Sequence, residues 1–260
     1  MLSIPPTAPK LASEDGFTLI EMMVALVTGL VVTGAAFLLL QVTSEQTSRA
    51  RDYVQASQLG RSAMTSIIDD LNSACVSENT VPVGSKSTTE SVVFVTAFSK
   101  KTEVQPSEVQ QHTIYWEKKA GETGTIFDTK ALGESKTEAG EWVFKAAAKP
   151  VAIDANTQRV KNATSGEKEI FRYYKYAETT NEGGGEEGLS ALTPIALKSG
   201  QRLEGEAKNV AAVMVSFRSL PSDNSEKIGR DVDLSDQAIF AFSAGFTEPT
   251  VTNTGACQNQ

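Results

Sequence analysis

From Met22 to Leu40 the chain runs 19 residues without a charge, MMVALVTGLVVTGAAFLLL, and Thr28 and Thr33 carry its only hydroxyls. As a helix this run is roughly 28 Å long, close to the hydrocarbon thickness of a bilayer. Apolar character on every side suits lipid. Two rival readings are a buried core helix and a cleaved secretory signal. The signal reading asks for a shorter apolar core, a basic front and small residues at a cleavage site behind it. Here Lys10 is the only base among the first 16 residues, opposed by Glu14 and Asp15, and QVTSEQTSRA follows the run. The helical pattern continues beyond it. No proline occurs between Pro9 and Pro82. Leu59, Ala63, Ile67, Leu71 and Cys75 recur every four residues with Met64 and Ile68 beside them, while Asp69, Asp70 and Asn72 lie off that stripe. A single helix from Phe17 to about Ala74 is roughly 87 Å long. Gly29, Gly34 and Gly60 are candidate soft spots or points of close approach.

Past Cys75 the period changes from four to two. SVVFVTAF at 91–98, HTIYWEKK at 112–119, EIFRYYKYA at 169–177 and NVAAVMVSFRSL at 209–220 predict sheet strands. Weaker strand signals fall at 125–128 and 141–146, and a short edge element at 189–197. A last strand is expected in DVDLSDQAIFAFSAGF, where Phe240, Phe242 and Phe246 share parity. The sum is an α+β fold in which the second half of one long N-terminal helix packs on an antiparallel sheet. No internal repeat and no second globular domain is visible.

One charge changes the picture at the start of the apolar run. Glu21 follows Phe17 by four residues in FTLIEMMVAL, and no Lys or Arg lies in that segment to pair with it. A carboxylate in hydrocarbon is expensive and demands a partner. A cut before Phe17 would create one, an α-amine one helical turn away or beside the Glu21 of a neighbouring subunit. The bland alternative is that Glu21 reaches to the interface.

The string Gly16-Phe17-Thr18-Leu19-Ile20-Glu21, followed at once by the apolar run, resembles the processing site of the type IV pilin superfamily, which includes the type II secretion pseudopilins. The likeness spans about residues 10–42. It implies a cytoplasmic leader, 1–16, removed after Gly16 by a prepilin peptidase that also methylates the new amine of Phe17. It further implies a transmembrane and filament-core helix at 17–42, an amphipathic continuation at 43–74, and a β-rich extracytoplasmic domain at 75–260. Glu21 matches the carboxylate that recruits the next subunit through its N-terminal amine. The implied partners are the prepilin peptidase, other pilin or pseudopilin subunits through the N-terminal helix, an inner-membrane assembly platform, and membrane lipid before assembly. The implied location is the cytoplasmic membrane, single-pass with the C-terminal domain outside, and then a surface filament or periplasmic pseudopilus. The long globular part and RSAMTSIIDDLNSAC at 61–75 are most similar to minor J-type or W-type subunits, although Asn72 stands where an arginine is usual. Many major pilins carry a kinking proline late in the apolar run, and this chain has none. Retention of Glu21 argues against the K-type tip subunit. The expected role is a minor subunit that initiates or caps assembly, with no enzymatic activity and no cofactor. A filament-borne adhesin or DNA-uptake module is the alternative.

Charge and composition narrow the field further. With 24 basic and 32 acidic residues the net charge is −8, which disfavours a nucleic-acid partner. HExxH, GxSxG, GxGxxG and GxxxxGK[ST] are all absent. One histidine and two cysteines exclude multi-histidine sites, four-cysteine zinc sites and iron–sulfur cages. His112 reads as a surface or sheet-edge residue with no identifiable acid–base partner, and no metal site is expected. Asp231, Asp233 and Asp236 lie close enough to offer oxygens to calcium but lack the EF-hand spacing, so a solvated acidic loop is the simpler reading. TTNEGGGEEG is an acidic loop that would repel phosphate, Asn162-Ala163-Thr164 is a bare glycosylation triplet, and Trp116, Trp142, Tyr173, Tyr174 and Tyr176 suit sheet packing. Cys75 and Cys257 form a candidate disulfide if the domain sits in an oxidising compartment, closing a span of 257 − 75 = 182 positions. Loop entropy for so long a closure is about 5 kcal/mol as an upper figure. Two free thiols are the alternative.

Overall fold

The computed structural model describes residues 16–75, 81–98, 108–137, 142–161, 166, 168–177, 192–221 and 231–240. The chain divides into two compact units, Met1–Ser48 and Arg49–Gln260. One helix, α1 at Leu19–Asn72, includes the boundary between them.

In the first unit the described chain is almost entirely helix. This is the one helix among the described residues long and apolar enough to cross a membrane. Its threonines do not leave donors unsatisfied. Thr28, Thr33 and Thr43 donate their hydroxyls to the carbonyls of Val24, Gly29 and Leu39, at 2.9, 2.7 and 2.7 Å. Each thus returns a hydrogen bond to the preceding turn, which lets a hydroxyl sit in an apolar medium at low cost. A Cβ added at Gly29 or Gly34 would meet nothing within 4 Å.

In the second unit the buried face of α1 consists of Ala56, Gly60, Ala63, Met64, Ile67, Ile68 and Leu71. Leu59, expected on that face, is 46% exposed. The reason is geometric. A row of every fourth residue drifts around a helix of 3.6 residues per turn by about 40° per step, which carries Leu59 off the face, while Ala63, Met64, Ile67, Ile68, Leu71 and Cys75 of the expected stripe are all buried. The buried face as a whole mixes spacings of three and four. It enters one core with Val92, Phe94, Ile114, Trp116, Ile126, Phe171, Tyr173, Val213, Val215 and Phe217. At Gly60 the helix comes so close to the sheet that an added Cβ would lie 2.4 Å from Leu234 Cδ1 and 2.7 Å from Ser219 Cβ.

The strands are β1 Ser91–Phe98, β2 Glu108–Ala120, β3 Thr123–Lys136, β4 Trp142–Phe144, β5 Val151–Lys161, β6 Lys168–Glu169, β7 Phe171–Tyr176, β8 Leu192–Pro194, β9 Ala212–Ser219 and β10 Val232–Ile239. The main path of this open sheet is β1-β2-β3-β5-β9-β7-β8, with every pairing antiparallel. Strand β9 is shared: β5 pairs with its Phe217–Ser219 end, β7 with its Ala212–Val215 end, and β10 runs along its other edge. A 3-10 turn at Ala207–Asn209 leads into β9. Strand β5 is not signalled by the hydrophobic pattern. The last strand ends at Ile239, earlier than the parity of the three phenylalanines suggests. Phe240 is buried behind it, and Phe242 and Phe246 lie outside the described residues.

Candidate functional site

Three places in the chain carry candidate chemistry, beginning with the start of α1. Residues 1–15 lie outside the described residues, and Gly16 and Phe17 are exposed ahead of the helix. Leu19 is the first helical residue, so Thr18 is its N-cap and Glu21 its third residue. The Thr18 N–H and hydroxyl both donate to Glu21 Oε2 at 3.0 Å, and the Glu21 N–H donates to Thr18 Oγ1 at 3.4 Å. This is a reciprocal capping box, which satisfies donors that a helix start otherwise leaves bare. Glu21 therefore has a local partner besides any amine, and the Thr-x-x-Glu spacing is the sequence signal that announces it.

The second place is the end of α1. Cys75 is 2% exposed, and its N–H donates to the carbonyl of Val95 at 2.7 Å, so the chain leaves the helix tied to β1. No cysteine among the described residues is free, and Cys75 is disulfide-bonded. Cys257, the partner expected from the sequence, lies outside the described residues.

The third place corrects two expectations. His112 is neither on the surface nor at an edge. It sits inside β2 between β1 and β3, fully buried, with its ring stacked on Phe94 at 5.1 Å. Asp70 does not point away from the domain either, because it is drawn towards His112 and Asp128 from the last turns of α1. One ligand atom from each of these three residues lies within 4.8 Å of the others. The sheet register explains half of this. Asp128 pairs with Ile114, and Ile114 shares a face with His112 two residues along β2. His112 Nδ1 lies 3.4 Å from Asp128 Oδ2, and Lys130 Nζ lies 3.6 Å from the same oxygen. Yet neither ring nitrogen of His112, nor Asp128 Oδ1, has a hydrogen-bond partner. Burial raises the Asp70 carboxyl above the ordinary aspartate value. The charges of His112 and Lys130 oppose that rise, and the carboxylates of Asp128 and Asp69 add to it.

Of the remaining candidates, the triplet at 162–164 and the acidic loop at 179–188 lie outside the described residues, and the acids and aromatics below have structural partners. Arg218 pairs with Asp231 at 3.1 Å and with both carboxylate oxygens of Asp233, at 2.6 and 2.9 Å. Asp236 has the opposite strand parity and accepts the Gln237 N–H. The three acids therefore do not converge as calcium ligands would. Trp116 is buried, donates from Nε1 to Thr157 Oγ1 at 3.2 Å, and lies under the Arg159 guanidinium at 4.8 Å. Arg159 is in turn paired with Glu90. Tyr173 is buried with its hydroxyl donating towards the carbonyls of Thr88 and Ser91, and burial pushes its ionisation far above the usual phenol range.

The architecture is thus α+β, with a long N-terminal helix apolar enough to cross a membrane and an open antiparallel sheet. No family model, no curated protein and no solved structure matches the chain.

Proposed function

We propose that this chain is a minor subunit of a type IV pilus-like filament or a type II secretion pseudopilus, one that helps to initiate or cap assembly and performs no chemistry of its own. The observation that carries the reading is Glu21 at the head of a membrane-length helix, directly behind Gly16-Phe17. The helix waits in lipid with its globular part outside the cytoplasm. A prepilin peptidase removes the 16-residue leader, and the Phe17 amine and Glu21 carboxylate become the charges through which neighbouring subunits pair. A disulfide at Cys75 supports an oxidising compartment for the globular part.

The capping box makes the test sharper, because glutamine can replace glutamate in that motif. Glu21→Gln keeps the capping box and removes the charge, whereas Glu21→Ala removes the charge and the half of the box that the side chain makes. Losing that half costs no more than the loss of a whole N-cap, about 1 kcal/mol. Leaving a partner's amine unpaired in an apolar core costs about 3–5 kcal/mol, more than a hundredfold in recruitment. Both variants should insert into membranes normally and both should lose crosslinks to neighbouring subunits. Normal crosslinking in both rejects the pairing role. Loss in Glu21→Ala alone assigns Glu21 to capping.

A further inference from the structure

We propose that Asp70, His112 and Asp128 form a binding site for a zinc ion, which staples the last turns of α1 to strands β2 and β3. The inference does not depend on the filament reading. Its first support is convergence: three residues from three elements, 42 and 16 positions apart in sequence, bring one ligand atom each to within 4.8 Å of one another. Ligand atoms around tetrahedral zinc lie about 3.3–3.5 Å apart, from bond lengths of about 2.0–2.2 Å. Closing the site therefore asks for side-chain movements of about 1 Å, on carboxylates that can rotate.

The second support is the unmet demand at the site. The His112 side chain is 1% exposed and Asp128 is 8% exposed. A buried imidazole almost always donates from one nitrogen and accepts at the other, because leaving such groups unpaired costs about 1–3 kcal/mol each. Here both His112 nitrogens lack hydrogen-bond partners, as does Asp128 Oδ1. A metal ion at the centre would accept a lone pair from the imidazole and one from each carboxylate. It would also offset the repulsion between the two acids. Lys130 accounts for only part of the local charge, since it lies 3.6 Å from Asp128 Oδ2 with its side chain about half exposed. That exposure lets the ammonium swing to water as a cation enters.

Donor chemistry selects the ion. Calcium takes six to eight oxygens and has little use for an imidazole. One imidazole nitrogen with two carboxylate oxygens is a zinc set, with water free to complete the tetrahedron. The ligands link helix to sheet, with the imidazole stacked on Phe94 in the core, so the role assigned to the ion is structural.

His112 is the only histidine, so a full-length chain freed of any histidine tag carries no competing imidazole. The detergent-solubilised chain, stripped with chelator and then given zinc chloride, should retain one zinc per chain through gel filtration and melt at a higher temperature than the stripped form. Calcium chloride should not reproduce the shift. Asp70→Asn, a near-isosteric change at a half-buried position, should weaken zinc binding at least tenfold with the stripped melting temperature little changed. His112→Gln should abolish retention. Cobalt(II) should give the intense visible bands of a tetrahedral site in the wild type and lose them in both variants. No zinc retained and no thermal shift in the wild type overturns the proposal. So does an equal shift with calcium, or retention undiminished in both variants.

Discussion

Asp154 is 6% exposed in the middle of the sheet, where a carboxylate is costly unless fully partnered. The Asn156 N–H donates to its Oδ1 at 3.1 Å and the Ser219 hydroxyl to its Oδ2 at 3.0 Å. Burial outweighs both bonds and raises its ionisation above the ordinary aspartate value. The folded chain then holds this proton to higher pH than the unfolded chain, whose value is about 3.9. Its contribution is greatest below that value and is lost as pH rises through the higher folded one. Unfolding by urea, followed through Trp116 and Trp142, should show wild-type stability falling relative to Asp154→Asn as pH rises from about 4. Parallel pH profiles for the two proteins contradict this. Single residues of this kind are the least legible in the sequence. Nothing in the spacing of Asp70, His112 and Asp128 marks them as neighbours, because the register of β2 against β3 and the face of α1 must both be known first. Glu21 differs, since its partner Thr18 is three residues away and local enough to read.

Elements are legible in proportion to their regularity. Strand β1 coincides with its predicted span, and β7 and β9 fall inside theirs, because alternation there matches one buried face. Strand β5 is hidden for two reasons. Its buried positions are the polar Asp154 and Thr157, and irregular register against β3 near Gly124 and Ile126 breaks the alternation. On α1 the residue type that matters is the smallest. Alanine at position 60 gains about 1 kcal/mol in helix propensity over glycine. The same methyl would press on Ser219 Cβ and Leu234 Cδ1, and overpacking costs about 1–3 kcal/mol. The clash should prevail, so Gly60→Ala lowers stability by up to about 2 kcal/mol in chemical unfolding. Gly29→Ala, with nothing within 4 Å, should leave the sheet-bearing unit unchanged. A stabilised Gly60→Ala would show that helix and sheet meet less tightly there.

At the scale of the whole molecule, an apolar helix and an acidic globular part pull in different directions, one towards lipid and the other towards water. A membrane-length helix that continues as the spine of an α+β unit reconciles them, and that much is readable from periodicity alone. The role proposed for the molecule hangs on how its N-terminus is made. Removal of residues 1–16 leaves 260 − 16 = 244 residues and takes away Lys10, Glu14 and Asp15. The formal side-chain charge becomes 23 − 30 = −7. N-terminal sequencing and intact mass of the protein from cells that contain a prepilin peptidase are the most direct measurement. The account predicts a mature chain beginning at Phe17, with a methyl group on its amine and Glu21 as its fifth residue. A mature chain beginning near residue 44, or one that keeps Met1 while the peptidase is active, contradicts it.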